Sequence, residues 1–112
     1  GDTVSAPQLI INVTVIGQMR VGTHAGSRSH AKPGHLVVTS GFSGLSALGL
    51  ASFRQSNYEH LTEARKAHRR PVPRLKEGQF FAERFRQFGM MDTSDGLADA
   101  LIKIAKQSQV RI

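Results

Sequence analysis

Residues 9–16 constrain this chain more than any other stretch. They read Leu-Ile-Ile-Asn-Val-Thr-Val-Ile, with Leu9, Ile11, Val13 and Val15 alternating against Ile10, Asn12, Thr14 and Ile16. β-branched residues fit a pleated surface, and apolar side chains on both sides of a period-two pattern need cover on both faces. The run therefore predicts a central or barrel strand, whose backbone must find neighbours. Asn12 and Thr14 interrupt it, and nothing else approaches the roughly 18 apolar residues of a membrane helix. No membrane span and no membrane partner are expected.

A length of 112 residues allows one small domain at most. The absence of cysteine removes disulfides, thiolate metal sites and a cysteine nucleophile, and fits a reducing, cytoplasmic location. The first residue is Gly1 rather than methionine, so the chain reads as a piece of something longer. Fifteen Lys and Arg against eight Asp and Glu give a net charge of +7. That charge is concentrated: residues 54–86 hold nine basic and four acidic residues, whereas 87–112 hold three of each. A basic section of this kind is more often a solvated face, or one turned toward anionic small molecules, than a reader of nucleic acid. Tyr58 and the six phenylalanines do not interleave with the basic residues as stacking platforms do. No nucleic-acid partner is expected.

Residues 17–34, punctuated by Gly17, Gly22, Gly26 and Gly34, read as a loop or interdomain connection. Residues 36–38 form a second short apolar run between Pro33-Gly34 and Ser40-Gly41, which predicts a buried strand. Gly41 and Gly44 then lead into a helix. A strand, a glycine turn and a helix entrance can bind phosphate through backbone N–H groups, but the P-loop Lys-Ser/Thr is missing and a tight turn is the better reading. Further helices are predicted over 58–68 and 74–87, separated by Pro71-Val72-Pro73 and carrying Leu75, Phe81, Phe85 and Phe88 as a core stripe.

The most informative segment is Met91-Asp92-Thr93-Ser94-Asp95-Gly96-Leu97. Leu97, Leu101 and Ala105 share one helical face, so a helix is predicted to begin near Asp95 with Thr93 or Ser94 as its N-cap. Two readings of Asp92 and Asp95 stand level. Carboxylates at a helix entrance gain about 0.3–1 kcal/mol each from the helix dipole and need no further role. The same two carboxylates with the Ser94 hydroxyl could instead bind Mg²⁺, which takes one or two carboxylates plus phosphate oxygens and water. Asp2, taken alone, is a turn residue.

Taken together, four elements resemble one family. Gly1-Asp2-Thr3-Val4-Ser5-Ala6-Pro7 before the first strand, Arg28-Ser29-His30-Ala31-Lys32-Pro33-Gly34, Arg69-Arg70-Pro71-Val72-Pro73-Arg74 and Met91-Asp92-Thr93-Ser94-Asp95-Gly96-Leu97 occur in the order found in thiamine-monophosphate kinases. Gly-Asp-Thr alone is common to the wider superfamily of aminoimidazole-ribonucleotide synthetase, selenophosphate synthetase and a hydrogenase maturation factor. The Arg-Pro-x-Pro-Arg and Asp-x-Ser-Asp-Gly-Leu elements are the specific ones.

The resemblance implies a mixed α/β fold of the aminoimidazole-ribonucleotide synthetase type, with this chain as its middle part. Residues 1–22 would end a dimerising, ATP- and Mg-binding amino-terminal domain, 23–34 would connect, and 35–112 would open the carboxy-terminal domain. It implies ATP- and Mg²⁺-dependent phosphorylation of thiamine monophosphate to thiamine diphosphate, by a homodimeric full-length protein. Gly1, Asp2, Arg28 and Ser94 would meet ATP, and Asp2, Asp92 and Asp95 would ligate the metal. No residue here is assigned as catalytic acid or base, because the acceptor phosphate is already an anion. His30, His35 and Leu45 depart from the family's usual residues, and residues 108–112 look shortened. Further metal and thiamine contacts would lie beyond this segment, so the isolated chain is expected to be inactive and its uncovered strand edges prone to aggregate. The alternatives are another ATP-using enzyme of the superfamily, or a non-catalytic structural remnant.

Overall fold

The computed structural model describes residues 7–54, 58 and 60–112. Among them are four helices: α1 Leu45–Ser52, α2 Thr62–Arg69, α3 Leu75–Arg84 and α4 Leu97–Ser108. Each falls within or beside a segment whose pattern predicts a helix. Pro71-Val72-Pro73 separates α2 from α3 because proline lacks the N–H a continuing helix would use.

The two predicted strands are not found, and the α/β architecture is thus not seen among the described residues. Residues 9–20 and 35–39 carry no regular secondary structure. Leu9, Val15 and Ile16 are each more than four-fifths exposed, as is Leu36. The physical reason lies in the pattern itself. A run that is apolar on both sides is written for a sheet interior, and its N–H and C=O groups need partner strands. The described residues of this chain supply none.

Packing is strongest where α1 meets α2. Gly49 and Ser52 of α1 and Ala64 of α2 are buried, and a side chain at Gly49 would fall onto the Ala64 carbonyl. Small residues on both helices let the backbones approach. Ser52 is almost fully enclosed; its Oγ donates to the Gly49 carbonyl (2.7 Å) and accepts from Arg65 Nε (3.0 Å), while an Arg65 amino group donates to the Ser52 carbonyl (2.8 Å). The Arg65 and Arg69 guanidinium groups lie 4.8 and 4.4 Å from the Phe53 ring centre. Ser46 Oγ and His68 Nδ1 meet at 3.2 Å.

The predicted phenylalanine core is only partly realised. Phe88 is buried, but Phe85 and Leu75 stay exposed. Phe81 stacks on Phe85 with ring centres 5.5 Å apart and meets Phe88 at 5.7 Å. With Ala64 and Ala100 the only other buried apolar residues described, the core is small. The radius of gyration, 17.8 Å, accordingly exceeds the roughly 13 Å of a compact domain this long.

Candidate functional site

The acidic corner is hung on Phe88. That ring is buried, and the backbone beside it is tied to an earlier loop: Ser27 N–H donates to the Phe88 carbonyl (3.2 Å) and Met90 N–H to the Ser27 carbonyl (3.3 Å). From Met90 the chain passes through Asp92 into a turn closed by Gly96 N–H donating to the Thr93 carbonyl (3.0 Å). Gly96 then caps α4 with φ 103° and ψ 161°, and no side chain caps the helix. This corrects the expectation of Thr93 or Ser94 as N-cap. The chain turns into α4 through a positive-φ conformation that glycine alone adopts cheaply, which puts Gly96, and neither Thr93 nor Ser94, at the capping position.

Asp92, Ser94 and Asp95 are all exposed, Ser94 and Asp95 within this turn and Asp92 just before it. Asp95 Oδ2 stands 3.5 Å from Lys103 Nζ, which lies 2.7 Å from Asp99 Oδ2. The Lys103 ammonium is held above its usual pKa of 10.5 chiefly by its hydrogen bond to the Asp99 carboxylate, with Asp95 adding to it. Lys103 is a residue that sequence reasoning missed. Its pairing with Asp99 was visible as an i,i+4 spacing, whereas its reach to Asp95 depends on the turn at Gly96.

Arg28 is placed elsewhere. It sits in a turn closed by His30 N–H donating to the Ser27 carbonyl (3.2 Å). Its own carbonyl accepts from Ser108 Oγ (2.8 Å), which in turn accepts from Ala31 N–H (2.9 Å). Ser108 ends α4 and Asp95 precedes its start. A helix of 12 residues rises about 18 Å, so the two turns stand at opposite ends of it. No hydrogen bond or ion pair among the described residues joins Arg28 to the acidic corner. Gly1 and Asp2 lie outside the described residues. Of the departures, His35 is locally accounted for: its Nδ1 accepts from Lys32 N–H (3.4 Å) across the Pro33-Gly34 turn.

The donor set at the corner suits a hard cation. Two exposed carboxylates and a hydroxyl offer the oxygen ligands that Mg²⁺ takes, with sites left for phosphate and water. Among the described residues no three His, Asp or Glu side chains converge, and Asp95 already has Lys103 as counter-ion. A cation at Asp95 would have to displace that ammonium, which keeps Asp99 as its nearer partner.

Comparison with known proteins first defines a class: the chain is similar to kinases. They are thiamine-monophosphate kinases, including those of Bacillus subtilis, 38% identical over 118 aligned positions, and Corynebacterium glutamicum, 38% identical over 117, each alignment covering 100% of this chain. That of Escherichia coli is 37% identical over 96% of this chain. In sequence the chain is similar to these thiamine-monophosphate kinases along nearly its whole length. It spans about a third of the length of these relatives, 36%, 35% and 33% respectively. No family model and no solved structure matches it. No helix among the described residues is long and apolar enough to cross a membrane.

Proposed function

We propose that this chain is a segment of an enzyme that transfers the γ-phosphoryl group of ATP to the phosphate of thiamine monophosphate, giving thiamine diphosphate and ADP. The observation that carries the reading is the similarity to thiamine-monophosphate kinases along 100% of the chain, together with an acidic turn at the entrance of α4. In this reading Asp2, Asp92 and Asp95 hold Mg²⁺, and Gly1, Asp2, Arg28 and Ser94 meet ATP. The metal, when bound, neutralises phosphate oxygens and aligns donor with acceptor. Arg28 adds a fixed positive charge for the nucleotide, and the Ser94 hydroxyl is available to a phosphate oxygen. No side chain has to remove a proton, because the attacking oxygen belongs to a phosphate.

The α/β fold of the aminoimidazole-ribonucleotide synthetase type belongs to the same proposal. So do the division into 1–22, 23–34 and 35–112, the cytoplasmic location and the homodimer of the longer protein. Partner strands from the rest of such a protein would cover residues 9–16, whose both-sided apolar pattern has nothing to pair with among the described residues. By itself the chain is expected to produce no ADP from ATP and thiamine monophosphate.

One observation favours a second reading. Lys103 already neutralises Asp95, as it would if the corner only secured the start of α4 in a non-catalytic module. Titration of ATP into the longer protein, with and without Mg²⁺, decides between them. Asp92→Asn with Asp95→Asn should abolish the Mg²⁺-dependent part of ATP binding; unchanged binding would leave the corner a structural device.

A further inference from the structure

The basic charge of the chain is gathered most densely at the end of α2, and its arrangement there goes beyond the proposed reaction. Arg65, Lys66, Arg69 and Arg70, with Thr62, line a concave surface of about 420 Å³. This lies within the roughly 300–1,000 Å³ of small-molecule sites. None of the four cations forms an ion pair among the described residues; the acidic partners present go to Arg20, Arg74 and Lys103. The carboxyl end of a helix attracts cations, but it offers only about half a negative charge. Among the described residues, that leaves most of four positive charges without an ion-pair partner.

Two of the four are also held in place. Arg65 is fixed by its bonds to Ser52, and Arg65 and Arg69 share the single Phe53 ring. Contact with the ring restrains both guanidinium groups, and an anion bound beside them would offset their charge. Guanidinium forks match phosphate oxygens in geometry, and pre-positioned ones lose little freedom on binding.

We propose that this hollow is a binding site for the phosphate of a small phosphorylated molecule, a phosphomonoester or diphosphate, independent of any metal. Thr62 adds a hydroxyl at its edge. Nucleic acid fits less well. The Phe53 ring beside the hollow already carries the Arg65 and Arg69 guanidinium groups, which compete with a base for it. A hollow lined by five residues is also short for a strand-tracking groove.

The test is calorimetric titration of pyrophosphate into the longer protein at constant ionic strength with excess EDTA, which silences any metal-dependent site at Asp92 and Asp95. Saturable one-to-one binding is expected, weakened at least tenfold in Lys66→Gln with Arg70→Gln and clearly weakened in Arg70→Gln alone. The Lys66 and Arg70 side chains make no hydrogen bond with the described residues, so circular dichroism should be unchanged. Arg111→Gln, remote in sequence and equally basic, should bind like the parent. The proposal is overturned if the parent shows no saturable binding, if Lys66→Gln with Arg70→Gln binds as the parent does, if Arg111→Gln loses as much, or if a single-stranded oligonucleotide binds more tightly than pyrophosphate.

Discussion

Replacing Gly49 by alanine tests the contact between α1 and α2 directly. In an open helix the exchange would stabilise by up to about 1 kcal/mol, because alanine is the better helix former. Here the new methyl would fall onto the Ala64 carbonyl and lie 3.0 Å from the His68 Cβ. Forcing extra volume into a close contact costs about 1–3 kcal/mol. Moving α2 away also strains the Arg65 bonds to Ser52, at 3.0 and 2.8 Å, and losing one bond of a charged donor adds about 1.5 kcal/mol. The net expectation is a loss of about 2 kcal/mol. Gly78, in α3, is the internal control, since nothing lies within 4 Å of the Cβ it would gain; there alanine should stabilise by up to about 1 kcal/mol. Urea unfolding followed by far-ultraviolet circular dichroism would measure both. If Gly49→Ala proved as stable as the parent, or if both exchanges shifted stability in the same direction, the close approach of α1 and α2 would be wrong.

Other expectations follow from single side chains. Ser52→Ala should cost about 1–3 kcal/mol, because it strips Arg65 Nε of its acceptor in an enclosed position; an unchanged urea midpoint would refute this. Gly96→Ala should cost about 1–3 kcal/mol, since φ is 103° there; amide exchange should reveal fraying confined to the first turn of α4. Lys103 is held above its ordinary 10.5, chiefly by Asp99, so its contribution to stability is fully present below 10.5 and fades as pH rises through the elevated value. Lys103→Met should remove that part of the alkaline dependence, and identical alkaline unfolding curves for the two proteins would count against it.

Helices were legible in this sequence because their signals are local. Apolar spacing in 97–105, the proline pair at 71 and 73 and the glycines before Leu45 each act within a turn or two of themselves, and α1 to α4 follow them. Strands are different, because period-two alternation records what a segment needs rather than what it has. Residues 9–16 need partners that no described part of the chain provides. The candidate site divides in the same way. Asp92, Ser94 and Asp95 could be grouped from spacing alone, since they are close neighbours in the sequence. Their distance from Arg28 could not, because it is set by the Ser108 tie between residues 77 and 80 apart in the chain. Lys103 fell between these cases: half of its pairing is helical spacing, and half depends on a glycine dihedral.

The Ser108 hydroxyl has a consequence for the order in which the molecule assembles. It joins Ala31 and Arg28 to the end of α4 across separations of 77 and 80 residues, whereas the bonds from Arg65 to Ser52 span 13. Loop-closure entropy grows as (3/2)RT ln n, so the longer closure costs about 1.6 kcal/mol more at ordinary temperature for a pair of hydrogen bonds no stronger. The α1–α2 hairpin should therefore form first and open last. The Ser108 tie should close late and open through local fluctuations, with the Ala31 amide exchanging faster than those of α2. The turn bearing Arg28 should then dock on the end of α4 only after α1 and α2 have paired, and leave it before they part.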